Sequence, residues 1–299
     1  MINTWGYFIA IGAHLLNGSV SIIDKFLLTK TFKNPAAYAF WIGILSLGTF
    51  ILLPFGFTLP TGWQWLIDFS AGATFILALY FFYLAIQAEE VTRIVPIVGS
   101  LIPIFTLLLS YFWLGERLIF PQILAIGIII LGIVLLTYRK SSQPINYQIL
   151  LAGPLAALLF AGSAVLMKEV FASQPFIGGL VWSRLGGVIV ALLFLIFPKN
   201  RPAIWEKEAW PQGGKLILFL AGRLFSTAGF ILVNLAISLI SVTVVNALQG
   251  IQYAFLFILT LLLTKFWPQI IRESLGRLTL VYKFLGIIII ILGSLLLAL

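Results

Sequence analysis

The chain has 299 residues, of which 62% are hydrophobic and only 9% are charged, and its mean hydropathy is +1.14. The composition excludes a soluble globular domain, because so few polar side chains cannot cover the surface of one. The formal net charge of +9 does not indicate nucleic-acid binding, because the basic residues form no run and lie between apolar segments, where they set membrane orientation. The absence of cysteine excludes disulfides and thiolate metal sites.

Ten apolar spans follow one another along the chain, and most have about the twenty residues that a helix needs to cross a bilayer. A polar linker, Arg139–Gln148, separates the first five spans from the last five. We therefore expect an all-α integral membrane protein with ten transmembrane helices. These are predicted at residues 5–23, 36–57, 66–87, 92–114, 119–138, 147–171, 175–197, 215–237, 242–264 and 278–298.

The fourth span lies within Glu89–Arg117, which reads EEVTRIVPIVGSLIPIFTLLLSYFWLGER. Pro96 and Pro103 each remove a backbone donor inside the span, and Gly99 adds a small residue on the face of Pro96. A lipid-facing helix gains nothing from this, whereas a helix beside a cavity can have its freed carbonyls satisfied by neighbours or water. We expect Pro96, Gly99 and Pro103 to kink this helix and to make it the moving part of a transport protein.

The second half of the chain repeats short features of the first at identical internal spacing. Leu84-Ala85-Ile86, Val91-Thr92 and Gly99 recur as Leu235-Ala236-Ile237, Val242-Thr243 and Gly250. Five spans per repeat is an odd number, so the two copies enter the membrane in opposite directions, as inverted repeats of secondary transporters do. We predict two five-helix repeats, residues 1–140 and 141–299, that form one membrane domain with a substrate site near its midplane.

The region around the fourth span shows four features in a fixed order. They are an acid-x-Thr-Arg start, a helix interrupted by proline and glycine, the Leu114-Gly115-Glu116-Arg117 end and a Gly-rich apolar helix. This order resembles the EamA-type transporters of the drug/metabolite transporter superfamily, and the ten spans in two repeats extend the resemblance to the whole chain. The second repeat departs from the pattern, since Lys265-Phe266-Trp267-Pro268 stands where the first has Leu-Gly-Glu-Arg. The resemblance implies a cavity among spans 1, 3, 4, 6, 8 and 9, with spans 5 and 10 at the periphery. It also implies export or exchange of small metabolites such as amino acids, or of drugs and nucleosides.

Polar side chains recur on one face of the ninth span, which is otherwise apolar. Asn246, Gln249, Gln252 and Tyr253 follow a three- and four-residue spacing, and Asn234 on the eighth span could join them. The functional interpretation is the wall of a hydrated substrate pocket. The alternative is hydrogen bonding between helices, worth about 0.6 kcal/mol per contact in membranes. We favour the pocket, because four such groups on one face exceed what helix association needs.

Two arginines lie deep in predicted spans, Arg184 in the seventh and Arg223 in the eighth. A mid-span arginine costs about 2.5–3.5 kcal/mol on insertion scales, so it usually faces a cavity or a partner. Arg223 is the stronger candidate to bind a carboxylate or phosphate, which a planar guanidinium suits. For both arginines a structural role, at backbone carbonyls or at the membrane interface, stays open. Because no acid is obvious at the centre, a zwitterionic or weakly anionic substrate is expected rather than an organic cation.

The first and third spans could complete the pocket. His14 and Asn17 share a face of the first span, and Tyr80 and Tyr83 would form an apolar wall from the third. His14 is the only histidine, and an imidazole that titrates near neutral pH could couple protons to transport. The alternative is a neutral histidine that only donates or accepts a hydrogen bond.

The remaining charges are expected at helix ends. Glu116-Arg117 is interpreted as a solvated pair at the interface, and Lys168-Glu169 as the end of the sixth span. Loops after the odd-numbered spans hold most lysines and arginines, whereas those after the even-numbered spans hold only Arg117 and Lys168. The positive-inside rule therefore predicts both termini outside, although transporters of the EamA type usually keep both in the cytoplasm.

The sequence contains no Gly-x-Ser-x-Gly motif, no phosphate-binding loop and no paired histidines, so no enzymatic activity, cofactor or metal is expected. The leading hypothesis is a secondary transporter of a small polar, amino-acid-like metabolite that works by alternating access as an exporter or exchanger. We expect a multi-pass protein of a prokaryotic inner membrane, monomeric or homodimeric, whose partners are the substrate, the bilayer and, if His14 titrates, protons. The alternative is a membrane protein that transports nothing, either a lipid-handling enzyme or a scaffold subunit.

Overall fold

The computed structural model describes residues 4–30, 34–88, 91–137, 147–205, 213–266 and 277–298. Every regular element within these segments is helical. An apolar chain in lipid forms helices because each backbone N–H and C=O is then paired inside its own segment. Glu89, Glu90 and most of the linker Arg139–Gln148 lie outside the described residues, as does the side chain of Pro96.

Ten helices, α1–α10, coincide within a few residues with the predicted spans. Two of them change geometry along their length, since α2 continues as a 3-10 helix, Ser46–Phe55, and α4 as a π-helical turn, Ser110–Leu114. Between α7 and α8 the chain forms 3-10 turns at Phe194–Ile196 and Pro198–Asn200 and a short helix, Arg201–Trp205. The α-helical bounds are Thr4–Lys30 (α1), Pro35–Leu45 (α2), Gln64–Ala88 (α3), Val91–Leu109 (α4), Phe120–Thr137 (α5), Tyr147–Ser173 (α6), Phe176–Leu193 (α7), Gly214–Leu239 (α8), Val242–Ala247 with Gln249–Phe266 (α9) and Arg277–Ala298 (α10).

Nine helices of the described chain are long and apolar enough to cross a membrane. The exception among the predicted spans is the fifth, because the apolar part of α5, Phe120–Leu136, is shorter than the other nine. The described chain is therefore an all-helical, multi-span membrane protein with nine candidate spans.

The most extensive helix contacts join the first half of the chain to the second. α3 packs on α6 and α7, α1 packs on α8 and α9, and α4 packs on α6. The approach of α3 to α7 requires glycine, since a Cβ on Gly72 would overlap the carbonyl oxygen of Ser183 and one on Gly186 would overlap that of Phe69. Small residues at helix contacts are how membrane helices gain van der Waals packing.

α5 and α10 pack against each other through equivalent residues of the two halves. A Cβ on Gly132 of α5 would lie 2.7 Å from Ile290, and one on Gly293 of α10 would lie 2.7 Å from Ile129. Each glycine follows a leucine, Leu131 or Leu292, so the same dipeptide supplies the contact from both sides.

α4 runs through Pro103 as a continuous helix.

The regular helix is interrupted twice in close succession, before α9 and within it. Ile240, after the end of α8, is extended, with φ −131° and ψ −178°. Ser241 then caps α9, because its Oγ accepts the N–H of Val244 at 3.2 Å. A few residues later α9 is interrupted at Leu248 between its two helical segments. These interruptions bring backbone carbonyls within reach of side chains from α1 and α6.

Candidate substrate site

Polar side chains of the first half meet α9 in the protein interior. His14 Nε2 donates a hydrogen bond to the carbonyl of Val245 at 2.9 Å, which fixes a proton on Nε2 because a carbonyl can only accept. The next residue, Asn246, donates from Nδ2 to Thr106 Oγ1 on α4 at 2.8 Å. His14, Thr106 and Asn246 are all buried. α1, α4 and α9 are thus joined by hydrogen bonds from adjacent residues of α9.

The contacts of α1 extend towards α8 and further along α9. Asn17 lies directly against α8, since a Cβ on Gly229 would overlap its side-chain oxygen. Ser21 donates to the carbonyl of Asn17 at 2.8 Å and accepts from Gln252 Nε2 at 3.3 Å. Together His14, Asn17, Thr106, Asn246 and Gln252 form what we call the central polar region. Its members belong to α1, α4 and α9, three of the helices expected around the cavity.

Tyr253 and Gly99 bring α9 and α4 into close contact. The Tyr253 ring occupies the space beside Gly99, where a Cβ would overlap the ring. Tyr253 is buried. Gln249, one residue after the interruption at Leu248, is only partly buried. Of the predicted pocket residues on α9, Asn246 contacts α4 through its amide and Tyr253 through its ring.

Arg223, Tyr83 and Tyr80 lie against aromatic side chains. The Arg223 guanidinium carbon is 5.6 Å from the Tyr38 ring centroid, and Tyr38 packs edge-to-face on Tyr83 at 4.8 Å. Tyr80 instead packs against Phe194 at the end of α7, with ring centroids 5.2 Å apart. The predicted wall of two tyrosines is therefore divided between two aromatic clusters.

Asn234 is buried in α8 and uses only part of its hydrogen-bonding capacity. Its Nδ2 donates to the carbonyl of Phe230, one turn earlier, at 2.9 Å. Its Oδ1 is buried without a hydrogen-bond partner among the described residues. An unsatisfied buried amide oxygen is costly, so it is a candidate acceptor for a bound molecule.

A second polar cluster, at the end of α4, was missed by the sequence interpretation. Thr243 donates to Glu116 Oε2 at 2.8 Å. Because that bond uses the only hydroxyl hydrogen of Thr243, Ser110 donates to Thr243 Oγ1, also at 2.8 Å. Lys168 is close enough to Glu116 for electrostatic attraction, and its Nζ donates to the carbonyls of Ile237 and Ile240 at 2.7 and 2.8 Å. We call Ser110, Glu116, Lys168 and Thr243 the Glu116–Lys168 network.

This network corrects two expectations about charged pairs. Glu116 is not a solvated partner of Arg117, since Glu116 bonds to Thr243 while Arg117 donates to the Tyr111 carbonyl at 3.2 Å. The reason is Gly115, whose φ of +65° reverses the chain after the π-helical turn and directs Glu116 towards α9. Lys168 does not end the sixth span, because α6 continues to Ser173. The ammonium instead satisfies the carbonyls at the end of α8, where the helix dipole favours a cation.

A buried acid, Asp68 of α3, was also missed. Asp68 has no exposed surface, and among the described residues only Gln174 bonds to its side chain, donating to Oδ1 at 2.9 Å. The sequence analysis found no acid obvious at the centre of the predicted pocket and did not consider this one. The signal was present, because Asp68 lies within the predicted third span, and an acid inside a span is by default a functional candidate.

Arg184 of α7 is 4% exposed and lies beside aromatic rings. Its guanidinium carbon is 4.2 Å from the Phe230 ring centroid, and its NH2 group contacts Ser183 Oγ at 3.1 Å and Met167 Sδ at 4.0 Å. None of these contacts is with a carboxylate. The acceptors that the described residues offer Arg184 are thus weak ones for a buried guanidinium.

A solved crystal structure superposes on the chain with a TM-score of 0.70 and covers 98% of each of the two chains. Its sequence identity is 19%, so the likeness shows the fold alone. No curated protein matches the chain.

The first half of the chain matches the profile of a known family. The match covers residues 4–138 and is to the EamA-like transporter family. These residues hold α1–α5 and the Leu114-Gly115-Glu116-Arg117 end of α4, on which the resemblance seen in the sequence depends. With its nine candidate spans, the described chain is a multi-pass membrane protein. Over residues 4–138 the chain is thus similar to the EamA-like transporter family.

Proposed function

We propose that the chain is a secondary transporter that moves a small polar metabolite by alternating access between two inverted five-helix repeats. The observation that carries the proposal is the central polar region, in which buried polar side chains of α1 and α4 bond to α9 across the boundary between the halves. Neutral hydrogen bonds of this kind are individually weak, so they can be exchanged for bonds to a substrate at little cost. A site between repeats is also where secondary transporters bind their substrates.

The helix packing supports two inverted repeats, residues 1–140 and 141–299. Exchanging the halves converts the α3–α6 contact into the α8–α1 contact, and the α4–α6 contact into the α9–α1 contact, and all four occur. The α5–α10 contact converts into itself and uses a Leu-Gly dipeptide on both sides. Under this proposal α5 is a tenth, short membrane helix, since a hydrophobic length below the bilayer thickness is accommodated by local thinning.

The Glu116–Lys168 network supports alternating access. It connects the ends of α4, α6 and α8 to the start of α9, so it closes the side of the protein that carries the loops after even-numbered helices. Opening that side would require Glu116 and Thr243 to separate. By the distribution of basic residues this side is the outside, together with both termini, and the membrane is a prokaryotic inner membrane. Reporter fusions at both termini that are active only in the cytoplasm would refute this orientation.

The side chains favour a zwitterionic or weakly anionic metabolite. Asn246, Gln249 and Asn234 offer neutral hydrogen-bonding groups, and His14 carries a donor proton on Nε2. Asp68 and Arg184 add one acid and one base inside the helical bundle. A purely cationic or strongly anionic ligand would leave one of these two charges without compensation. An amino-acid-like molecule matches both.

The direct test is transport by purified protein in proteoliposomes supplied with a mixture of labelled amino acids and related metabolites. We expect saturable uptake that is accelerated by unlabelled substrate on the other side, and none in protein-free liposomes. Correctly folded protein that gives no saturable uptake across broad metabolite pools would count against transport and favour a scaffold or lipid-handling role.

Alternating access is tested separately by cross-linking, because the chain has no cysteine of its own. Introducing Ser110→Cys together with Thr243→Cys places two sulfurs at the positions of hydroxyl oxygens that lie 2.8 Å apart on α4 and α9. Oxidation should stop transport and a reductant should restore it, whereas each single variant treated with the same oxidant should be unaffected. Full transport by the cross-linked double variant would contradict an opening at this side.

A further inference from the structure

Asp68 and Arg184 are two buried side chains of opposite charge that do not pair with each other. Among the described residues, Gln174 is the one hydrogen-bond partner of the Asp68 side chain, and Oδ2 is buried without a partner. In Arg184, Nε is likewise buried without a partner. The two groups are not within the 4.0 Å that defines an ion pair. Each charge therefore keeps an unused hydrogen-bonding atom in a low-dielectric interior, where such an atom costs most.

The contacts of Arg184 do not explain its position as purely structural. A guanidinium carries several N–H donors in a planar fork that suits an oxyanion. Here the acceptors are one hydroxyl, Ser183 Oγ, and one thioether sulfur, Met167 Sδ, which is a weak acceptor. The Phe230 and Phe75 rings, 4.2 and 5.7 Å from the guanidinium carbon, stabilise the charge but accept no hydrogen bond in its plane. A bound carboxylate would supply the missing acceptors.

The same apolar cluster lies next to both charges. Its buried members are Ala71, Met167 and Leu180. Ala71 is three residues after Asp68 on α3, so the two share a helix face, and Leu180 is four residues before Arg184 on α7 in the same relation. Met167 contacts Arg184 directly. The acid and the base thus lie at two edges of one apolar cluster between α3, α6 and α7.

We propose that Asp68 and Arg184 form a binding site for a small zwitterion whose two charged ends are separated by a short apolar segment. Arg184 holds the carboxylate of this ligand, Asp68 Oδ2 accepts from its ammonium group, and the apolar segment lies against Ala71, Met167 and Leu180. Transport of this ligand rests on the proposed function. Its binding does not, because binding can be measured without transport. Gln174, which bonds to the other oxygen of Asp68, positions the carboxylate.

The test is a series of zwitterions of increasing length, free glycine, β-alanine, γ-aminobutyrate and δ-aminovalerate, titrated onto the purified full-length protein by calorimetry. Each zwitterion is compared with its analogues lacking one charge, for example butyrate and butylamine for γ-aminobutyrate. In the wild type we expect the zwitterion of one length to bind best, about tenfold or more tightly than either of its analogues. Each analogue lacks one charged group and therefore one charge-assisted hydrogen bond. This comparison needs no variant and so does not depend on a variant folding.

Variants then assign each end of the ligand. In Arg184→Gln the zwitterion should lose its advantage over butylamine, and in Asp68→Asn it should lose its advantage over butyrate. Arg184→Lys should restore part of the carboxylate preference, and Arg201→Gln, at an exposed arginine, should change nothing. Equal binding of the zwitterion and its analogues by the wild type would overturn the proposal, as would the absence of any binding. A uniform loss for all probes in both variants would assign the two residues a structural role and overturn it too. Transport of other metabolites with none of these effects would leave the transporter function standing and remove this site.

Discussion

Two sets of an acid and a base, the partly buried Glu116 and Lys168 and the buried Asp68 and Arg184, differ in how many of their polar atoms are bonded. In the Glu116–Lys168 network the carboxylate accepts from Thr243 and the ammonium donates to two backbone carbonyls. In the other pair Asp68 and Arg184 each keep an atom without a partner. We call the first pair complete because both of its charges bond to other helices and so hold them together. We call the second pair incomplete because each of its charges keeps a buried atom unused, which adds cost to the fold. The difference separates a structural or gating role from a binding role.

The largest effect should come from removing the cation of the complete pair. Lys168→Met leaves the carbonyls of Ile237 and Ile240 without their donor and Glu116 without its nearby cation. We expect a loss of about 2–4 kcal/mol in unfolding free energy, since hydrogen bonds to a charged group are the strong ones. The measurement is unfolding in mixed detergent micelles, with Lys199→Met at an exposed lysine as the control. A loss no larger than that of the control would remove the distinction between the two pairs.

The corresponding change in the incomplete pair should have the opposite sign. Arg184→Met replaces a guanidinium whose donors are mostly unused with an apolar side chain that can pack on Met167 and Phe230. We expect the free energy of unfolding to stay the same or rise by up to about 1 kcal/mol, because an apolar replacement of a buried charge is often neutral or stabilising. The same unfolding assay applies, with Arg201→Met as the control. A clear destabilisation would mean that Arg184 is structural, whatever it binds.

The sequence predicts the helices well, because about twenty consecutive apolar residues have few alternatives to crossing the membrane as a helix. It also indicates which helices meet, since Gly99 lies against Tyr253 and Asn246 bonds to α4. Depth and partners are harder to predict. Lys168 was placed at a helix end because it is charged, yet the apolar residues up to Ser173 continue α6 past it. Asp68 was overlooked because it lies near the start of the predicted third span, and a position near a predicted helix end does not reveal that the side chain is buried. Whether Arg184 contacts a carboxylate depends on how the helices pack, and the residue pattern of a single helix does not predict that packing.

A smaller effect should come from the hydroxyl at the centre of the Glu116–Lys168 network. Thr243→Val keeps the shape of the side chain but removes the donor to Glu116 and the acceptor for Ser110. We expect a loss of about 1 kcal/mol in stability, together with a shift towards the state that is open on this side. The shift is measured as increased labelling of a Ser110→Cys reporter by a membrane-impermeant thiol reagent. Thr243→Ser, which keeps the hydroxyl, should behave like the wild type in both assays. Unchanged labelling in Thr243→Val would mean that the network does not hold this side closed.

The smallest effect should come from removing the neutral hydrogen bond between Asn246 and Thr106. This change tests whether the difference between the complete and the incomplete pair is due to charge. The Asn246 amide donates to the Thr106 hydroxyl at 2.8 Å, and both residues are buried, so the geometry alone is as good as that of Thr243 and Glu116. A double-mutant cycle with Asn246→Leu and Thr106→Val isolates the pairwise free energy, and we expect about 0.6 kcal/mol, the usual value for interhelical hydrogen bonds in membranes. A coupling as large as that lost in Lys168→Met would show that neutral bonds hold the two halves together as firmly as charged ones. The central polar region would then be too rigid to exchange its bonds for those of a substrate.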